Sequence, residues 1–159
     1  MKLGLAIREL HRSERKLARQ LSALSARHPV EHEIFYTSRD LAVWSREHIA
    51  DLADAGSRYG LKLSTDRHST AHAAGLQQRV SVLLGRRPEP ALLLLAELRR
   101  VHRTAAGVSL DWELLAQGAQ AVKDVELIEL TQRAHPQTLR QLRWANGMLK
   151  VLSPQALSS

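Results

Sequence analysis

Apolar residues recur at alternating spacings of three and four in four long segments of this 159-residue chain. That period is the turn of an α-helix, and it gives each segment one apolar stripe that has to be buried against other helices. We therefore expect a single all-α domain, an antiparallel four-helix bundle with helices over about residues 3–27, 30–59, 89–122 and 124–152. The clearest stripe, in the first segment, comprises Leu3, Ile7, Leu10, Leu17, Leu21 and Leu24.

The breaks between these segments have two different lengths. His28-Pro29 separates the first two helices, because proline disfavours helical geometry in the residue before it, and Gly60 is typical of a helix end. Residues 61–90 are rich in Ser, Thr, His and Gly, and they predict a long crossover with a short helix near residues 74–84. One long crossover between two helical hairpins is the connection of a ferritin-like bundle.

The third and fourth segments carry less regular signals. Trp112 falls in the stripe of the third helix and is predicted to be a core aromatic residue. Asp124 is placed to cap the fourth helix, Pro136 should bend or interrupt it, and residues 153–159 are expected to fray. The stripe predicted for the fourth helix comprises Val125, Ile128, Leu139, Leu142 and Leu149.

Composition limits the chemistry. The chain has no cysteine, so any metal has to be held by His, Asp or Glu. Its net charge of +7 comes mostly from arginine and permits phosphate contacts. The longest apolar run, residues 91–96, is far shorter than the roughly 20 residues of a membrane-spanning helix. The apolar stretch before Arg8 is too short for a secretory signal. We expect a cytoplasmic protein without a membrane partner.

Polar residues interrupt the apolar stripes, and these are the candidate functional residues. Glu14 fills the gap between Leu10 and Leu17, His48 lies on the second stripe with Asp51 three residues on, and His135 lies in the predicted fourth stripe. Counted from the first turn, Glu14 and His48 differ in level by roughly 6 Å, which one metal ion or a direct hydrogen bond can bridge. The set therefore predicts either a metal site of iron, manganese or zinc, or a hydrogen-bonded polar layer that fixes helix register.

The segment from Leu10 to Leu17, followed by His48-Ile49-Ala50-Asp51, resembles the first hairpin of YciF-type ferritin-like proteins. The resemblance implies that Glu14, His48 and Asp51 contribute to a di-iron site, with aspartate in place of the more usual glutamate. His135 corresponds to an acid on the fourth helix of that family. The third helix departs from the family pattern, because residues 105–109 hold no acid where a Glu-His-x-x-Glu-like cluster is expected.

Three functional hypotheses follow. The first is a non-catalytic or weakly metal-binding bundle, stress-related by resemblance, that acts as a scaffold through self-association or a protein partner. The second is an iron- or manganese-dependent oxidase or peroxide-handling protein that uses Glu14, His48, Asp51 and His135. The third is a nucleic-acid-associated protein, whose candidate contacts are Arg86, Arg87, Arg99, Arg100, Arg103, Arg140 and Arg143.

Overall fold

The computed structural model describes residues 2–65 and 89–159, and four long helices account for most of them. They are α1 (Lys2–Arg27), α2 (His32–Ser57), α3 (Pro90–Val122) and α4 (Val125–Ser158). The described part contains no strand, so the all-α class is confirmed. None of these helices is long and apolar enough to cross a membrane. The short helix expected near residues 74–84 lies outside the described residues.

Side-chain contacts fix the directions of the helices. Ser13 of α1 bonds Asp111 of α3 at 2.7 Å, while Arg27 at the end of α1 pairs with Glu97 near the start of α3. These two helices are therefore antiparallel.

The remaining contacts show which helices are neighbours and how α2 runs relative to α3. α1 packs against α2 and α3, whereas α4 packs against α3 and less extensively against α2. Ser25 of α1 bonds the backbone of Phe35 in α2, and Glu14 bonds His48, so α2 is antiparallel to α1 as well. α2 and α3 therefore run in the same direction. The predicted four-helix arrangement is confirmed, while most of the predicted crossover, residues 61–90, lies outside the described residues.

Apart from the end of α4, the helix ends agree with the sequence signals to within a few residues. α2 begins at His32 rather than near Val30, whose side chain is 82% exposed in the turn. Gly60 has a φ of 74°, which is the left-handed geometry expected just past a helix end. Asp124 caps α4 by accepting a hydrogen bond from the backbone N–H of Leu127 at 3.1 Å.

Neither proline of α4 ends the helix. The helix continues through Pro136 and Pro154 to Ser158, so Pro136 does not interrupt it and the expected frayed tail is wrong, while a bend at Pro136 stays a prediction. Both prolines are exposed, and so are Gln132 and Lys150, the residues four positions before them. Water can satisfy the carbonyl groups that proline leaves without a partner, which lowers the cost of the break.

The core confirms the α1 stripe and corrects the α4 stripe. All six predicted residues of α1 are buried, and Trp112 is completely buried. Val125, by contrast, is 63% exposed, while Ile128, Leu139, Leu142 and Leu149 are only partly buried. The buried face of α4 is instead composed largely of small and polar residues, namely Leu127, Leu130, Thr131, Ala134, Thr138, Gln141 and Ala145.

Candidate functional site

The centre of the bundle contains a polar layer formed by Glu14, His48, Trp112 and Gln137, one from each helix. Glu14 Oε1 accepts hydrogen bonds from Nδ1 of His48 and from Nε1 of Trp112, both at 2.8 Å. Glu14 and Trp112 are 0% exposed and His48 is 2% exposed. A carboxylate at such a position has to be paired, because an isolated charge is very costly away from water.

His48 is held through both nitrogens of its ring. Nδ1 donates to the carboxylate of Glu14, and Nε2 lies 2.7 Å from Oε1 of Gln137. An amide oxygen at this place matches the doubly protonated imidazolium, whereas the neutral ring is matched by the same amide turned over, with its NH₂ group toward Nε2. Burial by itself would lower the pKa of His48, but the hydrogen bond and the charge of Glu14 outweigh it and raise that pKa above 6.5.

Two further contacts lie in the central region, a ring contact of Trp112 and the hydrogen bonds of Gln141. The rings of His48 and Trp112 meet edge to face, with centroids 5.5 Å apart. In a neighbouring contact, the side-chain amide of Gln141 donates to the carbonyl oxygen of Leu41 and to Oγ of Ser45, both at 2.9 Å. Within the described residues, Glu14 Oε2 remains buried without a hydrogen-bond partner.

The four predicted ligands do not form one cluster. Asp51 is partly exposed and pairs with Arg133 at 3.1 Å. Nε2 of His135 lies 2.8 Å from Oγ of Ser109, in the contact between α3 and α4. Among residues 2–65 and 89–159, no group of three or more His, Asp or Glu side chains is arranged to hold a metal ion. The structure thus joins Glu14 to His48 by the direct hydrogen bond, while metal binding by the four residues stays a prediction.

A buried ion cluster at one end of the bundle was not predicted from the sequence. Glu97 of α3 is 5% exposed, pairs with Arg27, and has Oε2 2.5 Å from Nε2 of His28. Burial would raise the pKa of Glu97, but the hydrogen bonds from His28 and Arg27 outweigh it and lower that pKa. The position of Glu97 was the signal that could have predicted this cluster. Glu97 is next to the core residue Leu98, and it lies near the start of α3, the end of that helix that is close to the turn between α1 and α2.

His11 is a second buried residue without a predicted role. Its Nε2 donates to the backbone carbonyl of Ser64 at 2.7 Å, which attaches the chain after α2 to the outside of α1. Burial is the main cause of the lowered pKa of His11, and the nearby charge of Arg15 adds to it. The pKa of His11 is thus shifted in the direction opposite to that of His48, and the neutral ring of His11 holds this segment in place.

Comparison of the chain with family models, with curated protein sequences and with solved structures finds no match. The relation to YciF-type ferritin-like proteins, which depends on Glu14, His48 and Asp51, therefore stays a prediction.

The raised pKa of His48 predicts how stability depends on pH. A group whose pKa is higher in the folded state stabilises the fold fully below its unfolded value of 6.5, and this contribution is lost as pH rises through the folded value. The difference in unfolding free energy between the wild type and His48→Gln should therefore shrink as pH rises from about 6 to 9. Urea unfolding at several pH values measures it. A difference that grows with pH would contradict the raised pKa of His48.

Proposed function

We propose that this chain is a non-catalytic four-helix bundle that acts as an interaction protein, with its central polar layer serving to fix the helices in register. The observation that carries the proposal is the hydrogen bonding of His48, whose two ring nitrogens both contact protein side chains. An imidazole that is hydrogen-bonded to protein groups at both nitrogens has neither nitrogen free to bind a metal ion. The polar layer joins all four helices, so a shift of any one of them along its axis would break a buried hydrogen bond.

We also propose that the chain is distantly related to ferritin-like bundles and has a stress-related role. The relation is supported by the arrangement of two hairpins and one long crossover, and by the resemblance around Glu14 and His48. Self-association is supported by Leu110 and Leu114, which lie one turn apart on α3 and are 57% and 59% exposed. A cytoplasmic location stays a prediction.

A metal-dependent oxidase or peroxide-handling protein is the second candidate, and one observation favours it. Glu14 Oε2 is a fully buried acceptor without a hydrogen-bond partner in the described part of the chain, as a carboxylate poised to accept a cation would be. To bind iron or manganese beside it, His48 would have to release either Glu14 or Gln137 and present a deprotonated nitrogen to the metal.

Metal analysis of the purified protein distinguishes the two candidates. The wild type and the Glu14→Gln variant are each loaded with Fe²⁺ or Mn²⁺, dialysed, and analysed for metal per chain and for unfolding in urea. The proposal expects both proteins to retain the same trace amounts of metal, with the variant less stable. One metal ion per wild-type chain that is lost in Glu14→Gln would overturn the proposal and establish the second candidate. A Glu113→Gln variant, altered at an exposed acid outside the predicted ligand set, serves as the control for surface binding.

A further inference from the structure

Charge is distributed unequally over the helices of the bundle. α1 has seven basic and two acidic side chains, whereas α2 has two basic and five acidic ones. One of the two acids of α1, Glu14, is buried in the polar layer. The other, Glu9, pairs with Arg12 at 3.3 Å. The outer surface of α1 is therefore strongly positive, while α2 carries the negative excess.

The basic residues of α1 form a stripe. Arg8, Arg12, Lys16 and Arg19 are all exposed, and their spacings of four, four and three place them on one side of the helix, away from the core stripe. The stripe is roughly 16 Å long at 1.5 Å per residue. Successive charges are thus roughly 5–6 Å apart along one rigid, well-packed helix.

α3 extends this positive surface. Arg99, Arg100 and Arg103 are exposed on α3, which packs directly against α1. The contact between Ser13 and Asp111 fixes the register of the two helices. Arg103 lies about two turns before Asp111 on α3, and Arg19 lies somewhat less than two turns after Ser13 on α1. Because the helices are antiparallel, Arg103 and Arg19 are within one turn of the same level. We name as the basic face the residues Arg8, Arg12, Lys16, Arg19, Arg99, Arg100 and Arg103.

Acidic groups near the basic face are few and mostly engaged. On α3, Glu97 is buried and paired with Arg27 and His28, and Asp111 accepts a hydrogen bond from Ser13. Glu113, the third acid of α3, is exposed and lies beyond the level of Ser13. Within the described residues, no ion pair involves a basic side chain of this face except that between Arg12 and Glu9.

We propose that the basic face binds the phosphate backbone of double-stranded nucleic acid. This inference extends the proposed interaction role by naming the partner. A duplex presents closely spaced negative charge along a stiff rod, and arginine is well suited to bidentate phosphate contacts. The face has no aromatic side chain, so it lacks the stacking groups that bind single strands. The negative excess on α2 orients the protein with α1 toward the duplex.

A duplex fits this face better than a membrane surface. A helix that lies in a lipid interface inserts an apolar face, but the apolar face of α1 is buried in the bundle core. Leu5 is the one large hydrophobic residue of α1 that is well exposed in the structure, at 59%. Of the other predicted contacts, Arg140 and Arg143 lie on α4, which does not pack on α1, and Arg86 and Arg87 lie outside the described residues.

Binding to a fluorescent duplex of random sequence, of about 25 base pairs, tests the inference by anisotropy between about 50 and 200 mM NaCl. Four to six phosphate contacts would give a log–log salt slope of about −3.6 to −5.4. The triple variant Arg12→Gln/Lys16→Gln/Arg19→Gln should bind about tenfold more weakly or worse at low salt, with a slope shallower by about 2–3. The control is Arg140→Gln/Arg143→Gln/Lys150→Gln, which removes the same charge from α4 and should change affinity by less than about threefold.

Three results would each overturn the inference. No binding at low salt removes it, and equal weakening by both triple variants would show that net charge rather than the basic face attracts the duplex. Tighter binding to vesicles containing phosphatidylserine than to the duplex would assign the face to a membrane. None of these results alters the metal analysis of Glu14, so failure of this inference is distinguishable from failure of the proposed function.

Discussion

Replacing Glu14 with alanine is expected to lower the free energy of unfolding by about 3–5 kcal/mol, the largest loss from any single polar residue of the bundle. The substitution leaves the indole N–H of Trp112 and the ring of His48 without the carboxylate that they share. Both donors are buried, so water cannot replace the lost acceptor without opening the core. Urea unfolding followed by circular dichroism measures the change, since helix content reports the whole fold.

A matched control and a double variant make this expectation specific. Glu9→Ala removes an acid from the exposed side of the same helix and should change stability by less than about 0.5 kcal/mol. Glu14→Leu/His48→Leu removes both members of the buried pair and should recover a large part of the loss, because no charge then remains buried without a partner. If Glu14→Ala costs less than about 1 kcal/mol, the polar layer does not hold the bundle together.

The fold was predictable from the sequence where leucine and isoleucine mark the buried face. All six residues of the α1 stripe are buried, because large apolar residues at helical spacing form one face that is stable only when it is packed against other helices. The α4 stripe was wrong because the residues that face the core there include Thr131, Thr138 and Gln141. A hydropathy pattern does not mark such residues, and the leucines chosen for the stripe, Leu139, Leu142 and Leu149, are only partly buried.

The candidate site was predictable only within one hairpin. Glu14 and His48 lie on helices joined by a short turn, so counting residues from that turn gives their relative level. The structure has the direct hydrogen bond, one of the two alternatives that this count left open. Contacts between the hairpins depend on the crossover and on how the helices pack, which no residue count supplies. Gln137 and Glu97 were missed for this reason, and Trp112 was expected in the core without its hydrogen bond.

Replacing Glu97 with glutamine should destabilise the bundle by about 2–3 kcal/mol at neutral pH, since Arg27 and His28 lose a shared, buried counter-ion. The pKa of Glu97 is lower in the folded state, so its contribution is complete above its unfolded value of 4.5 and is lost as pH falls through the folded value. The wild type and Glu97→Gln should therefore approach the same stability in acid, where both carry a neutral side chain at this position. Urea unfolding between about pH 3 and 7 measures this convergence.

Glu113→Gln provides the matched control, because it removes an exposed acid from the same helix and should leave the pH profile close to that of the wild type. The direction of this profile is opposite to that expected for His48, where the stabilising charge is the proton itself. A variant at Glu97 should thus lose its difference from the wild type in acid, and a variant at His48 should lose it in base. If the Glu97→Gln difference persisted unchanged to the lowest pH, the carboxylate would owe its effect to packing at the end of α1 rather than to its charge.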